Sequence, residues 1–246
     1  MGLRILVVMA HVAFLGLPPT PAVAALRVPQ ERPPWVVDGV PDTVWILVEG
    51  TYGEADRDEA RRMLVRAEVV ARAAVEGHEA DVGRRFALAV VLGRRADLEG
   101  GRTKVTVASE FHRELEAILR LDPDHPQAHH LMGRLYAGVR RMGRLTRWIA
   151  TNLLGGDELK KATWEAAEAH LLFAEQRQPE VSEYHLQLAN LYRDTGRPEL
   201  ALGEVDHVLA LPVNTPLEAA VRAEALAMRP ALVERLGAKG SPAPRG

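Results

Sequence analysis

The sequence feature that most constrains the fold is a residue pattern that recurs in register with three prolines. Its last copy comprises Tyr184-His185, Leu188-Ala189, Tyr192, Gly196, Ala201, Val205, Val208 and Pro212. Pro179 and Pro212 are 33 residues apart, whereas Pro123 and Pro179 are 56 apart. A repeat of fixed period predicts supersecondary units that bury a continuous core only by stacking on their neighbours. The longer interval predicts one unit with an insertion.

The central copy has the same pattern in two parts, one for each helix of the pair, and about 22 additional residues separate these parts. Its members are His129, Met132-Gly133, Tyr136, Ala167, Leu171, Ala174 and Pro179. An earlier, weaker copy pairs the helix around Gly93 with Leu115, Ile118 and Pro123. The pattern resembles the tetratricopeptide (TPR) unit, a helix pair of about 34 residues whose small residues allow close helix contact. We therefore expect an all-α, TPR-like α-α superhelix with an extended, inserted helix in its central repeat.

Composition favours helices and excludes several classes of function. Aromatic residues make up only 5% of the 246 residues, which disfavours β-sandwiches. The formal net charge of −2 gives no basic excess of the kind that nucleic-acid binding requires. Because the chain has no cysteine, disulfides, thiolate metal sites and a cysteine nucleophile are excluded.

Residues 1–24 have the pattern of a signal peptide. Arg4 precedes an apolar stretch from Ile5 to Leu17, and Ala22-Val23-Ala24 is a small-residue cleavage signature. The alternative is a retained N-terminal membrane anchor, but a membrane-spanning helix needs about 20 apolar residues. We expect export to a periplasmic or extracellular space.

The remainder divides into three segments. Residues 25–54 form a Pro-rich leader, in which Val44–Val48 fits either a strand or a first helical turn. Residues 55–236 form the helical-repeat domain, and residues 237–246 a disordered tail. Helices are predicted over 55–75, 80–96, 104–121, from Pro126, from Thr163, and over 181–195, 198–211 and 217–236.

The insertion predicts one long helix from Pro126 to about Leu154. Apolar residues recur there every three or four positions from Leu135 to Leu153. Arginines occupy the other sides, and Arg140, Arg144 and Arg147 project to one of them. Gly155-Gly156 ends the helix, and Thr163 is the predicted N-cap of the next one.

Four segments around the insertion carry a family resemblance. They are His130-Leu131-Met132-Gly133-Arg134, Arg147-Trp148-Ile149-Ala150-Thr151, Leu154-Gly155-Gly156 and Ala162-Thr163-Trp164-Glu165-x-Ala167. These segments resemble the TPR domain of the regulator of microtubule dynamics family. The resemblance implies an all-helical domain without catalysis, and eukaryotic members are associated with microtubules, organelle contacts and lipid binding. The signal segment and the absence of cysteine indicate a bacterial chain, so we do not transfer the microtubule role.

The candidate contact site consists of Arg134, Arg140, Arg144, Arg147 and Trp148. Arginine binds carboxylates and phosphates in bidentate fashion, so this set suits a peptide carboxylate or a lipid head group. The alternative is a solvated helix face whose arginines have intramolecular partners. Trp148 and Trp164 fit the core better than a ligand platform.

No motif supports catalysis, a metal or a cofactor. His125, His129 and His130 are the densest histidine cluster, but Pro126 places His125 before the first helical turn, and no third ligand follows. We interpret these histidines as packing or surface residues, and Asp122 and Asp124 as turn residues. The resulting prediction is a non-enzymatic scaffold or adaptor that binds a protein or peptide in the cell envelope. The alternative is a lipid-binding or lipid-carrying protein with an apolar inter-helix cavity.

Overall fold

The computed structural model describes residues 38–152, 156–214 and 216–240, and the predicted signal peptide lies outside these residues. In chain order the helices are α1 Asp42–Gly53, α2 Arg57–Val75, α3 Val82–Leu98, α4 Gly101–Leu121, α5 Pro126–Arg141, α6 Arg144–Asn152, the 3-10 helix Asp157–Lys161, α7 Trp164–Arg177, α8 Ser182–Asp194, α9 Pro198–Ala210 and α10 Pro216–Gly240. No strand occurs within the described ranges.

The helices pack as consecutive pairs. The pairs are α1 with α2, α3 with α4, α5 with α7, and α8 with α9, and α10 covers α9 at the C-terminal end. Each pair also contacts the next one, so buried side chains form one continuous cluster from Val40 to Leu232. The predicted all-α superhelix is confirmed.

Several helix starts follow from local sequence. Asp56 and Asp81 accept backbone N–H groups at the starts of α2 and α3, and Thr163 does so for α7, as expected. Pro126 and Pro198 occupy the first turns of α5 and α9, where a missing N–H leaves no hydrogen bond unmade. These caps and prolines explain why most predicted helix limits lie within three residues of the observed ones.

The N-terminal limit of the packed region differs from the prediction. Residues 42–53, assigned to the Pro-rich leader, form α1, and Val44, Leu47 and Val48 of this helix are buried. Val44 and Val48 are four positions apart and therefore share the helix face that packs against α2. The apolar stretch that fitted either a strand or a helical turn is a helix. At the other end, α10 continues to Gly240, four residues into the segment predicted to be a disordered tail.

The prediction of one helix from Pro126 to Leu154 is wrong. α5 ends at Arg141, Met142 is extended with ψ 137°, and α6 begins at Arg144 after Gly143. The break allows α6 to contact the 3-10 helix, which itself packs against α4. Ala150 and Leu159 thereby become buried, with 4% and 2% of their surface exposed. A straight helix would carry its apolar side away from the core. The free energy gained by burying this side therefore exceeds the free energy lost by breaking the helix.

Gly133 lies at a close helix contact, where α5 meets α7. A Cβ placed on Gly133 would lie 2.6 Å from Cγ of Leu171 and 2.9 Å from the carbonyl oxygen of Ala167. The backbone oxygen cannot move away without displacing α7. The absence of a side chain at this position therefore sets the distance between the two helices.

We predict that Gly133→Ala lowers the free energy of unfolding by about 1–3 kcal/mol, because the added methyl group overpacks the contact. The measurement is equilibrium urea unfolding. The matched control is Gly203→Ala in α9, where a Cβ would meet nothing within 4 Å. It should stabilise the protein by about 0.5–1 kcal/mol through helix propensity. Equal effects of the two substitutions would contradict the role of Gly133.

Candidate functional site

A cavity of about 160 Å³ lies between α3, α4 and α5. Its apolar walls include Val90, Val105, Ala108, Phe111, Leu135 and Val139. Gln187 of α8 also lines the cavity, so three successive helix pairs contribute to it. Concave apolar sites with a few convergent polar groups are the usual form of binding sites in proteins. We treat this cavity as the candidate site.

Four cationic side chains and one carboxylate line the same cavity: Arg94, Lys104, Arg134, Arg141 and Asp97. Three of the cations have protein partners. Arg134 lies 3.2 Å from Glu183, Arg141 is paired with Asp194, and Arg94 donates to Thr51. These contacts hold the guanidinium groups in place around the apolar walls.

Asp97 and Lys104 are half-buried charged groups of the cavity that form no direct ion pair with the residues the structure describes. Among the described residues, neither has an oppositely charged atom within 4.0 Å. Burial raises the pKa of Asp97, and Arg134, Arg94 and Lys104 oppose this change. Burial lowers the pKa of Lys104, and Asp97 opposes it. Burial thus shifts the pKa of each group towards its neutral form, and neither group has a direct ion-pair partner among the described residues, a combination found often at functional sites.

Glu183 of α8 connects the cavity to the next helix pair. Its carboxylate lies 3.2 Å from Nη1 of Arg134 and 3.5 Å from Nε2 of His130. Burial alone raises the pKa of Glu183, but His130 and Arg134 outweigh it and lower the pKa to about 2. The ionised carboxylate therefore fixes Arg134 at the edge of the cavity.

The predicted arginine site divides into two parts. Arg134 lines the cavity, whereas Arg140, Arg144 and Arg147 lie around the break between α5 and α6. Arg147 donates hydrogen bonds to the carbonyl oxygens of Arg140 and Met142, at 3.3 and 3.1 Å. It thus satisfies backbone groups at the C-terminal end of α5.

Two neighbouring arginines act on Arg147 at the break. Burial lowers the pKa of Arg147, and Arg140 and Arg144 lower it further. Nε of Arg140 is buried without a hydrogen-bond partner in the described part of the chain, whereas Arg144 is exposed. The side chain of Trp148 lies outside what the structure describes, and Trp164 packs against the core as predicted.

The three clustered histidines point to different neighbours. His125 accepts the N–H of Ala128 at the start of α5. His129 contacts His170 of α7, and His130 is buried beside Glu183 and Tyr184. Asp122 accepts the N–H of Asp124, as expected for turn residues.

Sequence reasoning missed Asp97, Lys104 and Arg94 as site residues. The sequence signal for them was a pair of charged residues on either side of a helix junction. Asp97 lies in the last turn of α3, and Lys104 lies in the first turn of α4. Lys104 follows the Gly100-Gly101 pair in the sequence and carries no motif of its own. Its role depends on the return of α5 across α3 and α4, which a local pattern does not reveal.

The fold and the cavity define a helical-repeat protein with a candidate binding site between its repeats. A family model described as Regulator of microtubule dynamics protein 1-3 matches residues 42–232. The chain therefore belongs to this family.

Two relatives share the name Regulator of microtubule dynamics protein 3. The protein from Bos taurus is 28% identical over 133 residues, covering 54% of this chain and 28% of its own length. The protein from Rattus norvegicus is 24% identical over 161 residues, covering 63% of this chain and 34% of its own length. This chain thus spans about a third of the length of these relatives.

Within the residues that the structure describes, none of the helices combines the length and apolarity needed to cross a bilayer.

We predict that Glu183→Gln makes stability less dependent on pH. Because the pKa of Glu183 in the folded chain is about 2, below the ordinary value of 4.5, ionisation stabilises the folded state above about pH 4.5. That contribution is lost as the pH falls towards 2. The difference in unfolding free energy between wild type and variant should be about 1–2 kcal/mol at pH 7 and shrink with acidification.

The control for this measurement is Asp124→Asn, which removes the exposed ion pair with Arg177. Exposed pairs contribute about 0–1 kcal/mol, so this variant should unfold nearly as wild type does at every pH. A difference between Glu183→Gln and wild type that stays constant from pH 7 to pH 2 would contradict the role of Glu183.

Proposed function

We propose that this protein is a non-enzymatic scaffold of the tetratricopeptide type that binds a segment of a protein partner at the cavity between α3, α4 and α5. The observation that carries the proposal is the combination of apolar walls with Lys104, Arg134 and Asp97 in one site. An apolar side chain of the partner enters the cavity. A carboxylate of the partner meets Lys104 and the neighbouring arginines.

The TPR assignment is supported by the correspondence of two helix pairs. The α5–α7 pair and the α8–α9 pair align residue by residue once the insertion is removed. Corresponding residues are His129 with His185, Gly133 with Ala189, Tyr136 with Tyr192, Ala167 with Ala201, and Leu171 with Val205. The small residues of each set face a neighbouring helix, as stacked TPR units require.

The size of the cavity favours a side chain over a lipid. A cavity of about 150 Å³ accommodates a molecule of the size of benzene. Pockets for larger ligands have volumes of about 300–1,000 Å³. A cavity of about 160 Å³ therefore suits one large side chain, whereas a long acyl chain would extend beyond it. Lipid binding, the alternative from the sequence, is an outcome to be tested below.

The arginines at the break between α5 and α6 are a second contact for the same partner. Arg140 and Arg144 lower the pKa of Arg147, and an anionic group beside Arg147 would offset this repulsion. The partner segment would thus carry acidic residues on either side of its apolar anchor.

We do not transfer the microtubule function in the relatives' names, because the chain spans only about a third of their length. We propose instead that residues 1–24 direct a bacterial chain to the cell envelope and are then removed.

N-terminal sequencing of the protein purified from its native cells should yield a chain that begins near Ala25, in the periplasmic or extracellular fraction. The small residues Ala22 and Ala24 specify this position. As the control, Ala22→Arg/Ala24→Arg should retain the N-terminus. A wild-type chain that begins at residue 1 in the cytosolic fraction would contradict export.

Filling the cavity should weaken partner binding without loss of stability. In an affinity capture from envelope extract, quantified by mass spectrometry, Ala108→Leu should recover at least about tenfold less of the wild-type partner. The extra carbons occupy space that is already open, so thermal unfolding should change little. The matched control, Ala73→Leu, adds the same atoms on the exposed side of α2 and should behave as wild type.

Charge variants test the polar half of the site in the same capture. Lys104→Gln should weaken recovery, and so should Arg140→Glu/Arg144→Glu/Arg147→Glu, which reverses the charge of the second contact. Full recovery with Ala108→Leu and Lys104→Gln would overturn the cavity as the binding site. Acyl chains that native mass spectrometry detects on wild type but not on Ala108→Leu would replace the peptide by a lipid.

A further inference from the structure

Three potential metal ligands meet between α8 and α9, away from the cavity. They are His185 of α8 and Glu204 and His207 of α9, and their ligand atoms all lie within 4.8 Å of one another. Nδ1 of His185 is 2.7 Å from Oε2 of Glu204, and Nδ1 of His207 is 3.8 Å from the same oxygen. Glu204 and His207 are three positions apart and thus share one face of α9.

The hydrogen bonds of His185 leave one nitrogen directed at the carboxylate. Its Nε2 lies 2.8 Å from the carbonyl oxygen of Pro179, which is only an acceptor, so Nε2 carries a proton and donates it. In a neutral ring Nδ1 is then an acceptor facing another acceptor on Glu204. A cation must lie between them, either a proton or a metal ion. Burial opposes the charged ring, but Glu204 and Pro179 raise the pKa of His185.

The corresponding site in the preceding helix pair, α5 and α7, has a histidine in place of the carboxylate and needs no cation. There Nε2 of His129 donates to the carbonyl oxygen of Pro123, and Nδ1 lies 2.8 Å from Nδ1 of His170. His170 corresponds to Glu204, because the separations of 41 and 19 residues differ by the inserted 22. Unlike Glu204, His170 can donate a proton, and the pair is satisfied without any cation.

The third residue of the set also changes from a packing residue in the central repeat to a potential metal ligand in the last repeat. Phe173 corresponds to His207, and its ring stacks on His129 at 3.9 Å. In the α8–α9 pair the rings of His207 and His185 are 5.1 Å apart. The packed trio of the central repeat has thus become a set of two imidazoles and one carboxylate. Two replacements in α9 make this change.

We propose that His185, Glu204 and His207 bind a divalent transition-metal ion, for which Zn²⁺ is the probe. Two imidazoles and a carboxylate are a known three-ligand set for zinc, with a fourth position open to water. Ligands about 2.0–2.1 Å from zinc in a tetrahedron are separated by about 3.3 Å. His207 has 68% of its side chain exposed and can approach Glu204 from 3.8 Å without repacking the core.

The surroundings of the site match those of metal-binding histidines. Such histidines usually donate their second N–H to a backbone carbonyl or a carboxylate, which fixes the ring and its tautomer. His185 makes this contact with Pro179 and has only 5% of its side chain exposed. The bound ion would join α8 to α9 and stabilise the last helix pair. This inference is independent of the proposed partner site.

Zinc titration of the untagged full chain tests the proposal. Isothermal calorimetry at pH 7.5 should show one zinc ion per chain, and Mg²⁺ should show no binding. At a hundredfold excess over Kd, zinc should raise the thermal unfolding midpoint by about 5 °C. His207→Phe, which restores the residue type of the preceding repeat, should bind zinc at least about tenfold more weakly and still fold.

The matched control is His78→Ala, which removes an exposed imidazole after α2. It should bind zinc as wild type does. Absence of zinc binding by wild type, or equal affinity of wild type and His207→Phe, would overturn the site and leave His185 and Glu204 as a proton-bridged ion pair. Equal zinc and Mg²⁺ affinities would also contradict it, because imidazole ligands do not favour Mg²⁺.

Discussion

The close contact of α5 with α7 at Gly133 is the constraint on which the central part of the structure depends. These two helices form a pair although the chain travels through α6 and a 3-10 helix between them. A pair interrupted in this way must be selected by the fit of its surfaces, because chain proximity does not favour it. Gly133 and Ala167 provide that fit, and the inserted residues then close over α4.

The helices and their order were predictable because caps, prolines and apolar spacing are local signals. Thr163 and Pro126 indicate helix starts independently of tertiary contacts. The break at Met142 was not predictable in this way. The apolar spacing from Leu135 to Leu153 continues across it. Its cause is the packing of α6 on the 3-10 helix that lies against α4, which only the assembled fold supplies. α1 was missed for the related reason that a short apolar stretch does not reveal its period.

The functional residues also divide into those that a local sequence pattern reveals and those that only the assembled fold reveals. Arg134 was identified because the insertion attracts attention, and it does line the cavity. Arg147 came from the same pattern, but the helix break turns it towards backbone carbonyls. Asp97 and Lys104 belong to different helices and carry no motif. The cluster around His185 was readable in principle, since aligning the two repeats pairs His170 with Glu204 and Phe173 with His207. That comparison requires the length of the insertion, which follows from the unequal spacing of Pro123, Pro179 and Pro212.

The proposed binding function accounts for two departures from ordinary core packing at the cavity. The first is the cavity itself, which leaves about 160 Å³ unfilled between the apolar walls of α3, α4 and α5. The second is Asp97, whose pKa is raised by burial and which forms no ion pair in the described part of the chain. A core shaped only by stability would fill the space and replace the carboxylate. Departures of both kinds at one place are expected where a ligand supplies the missing contacts.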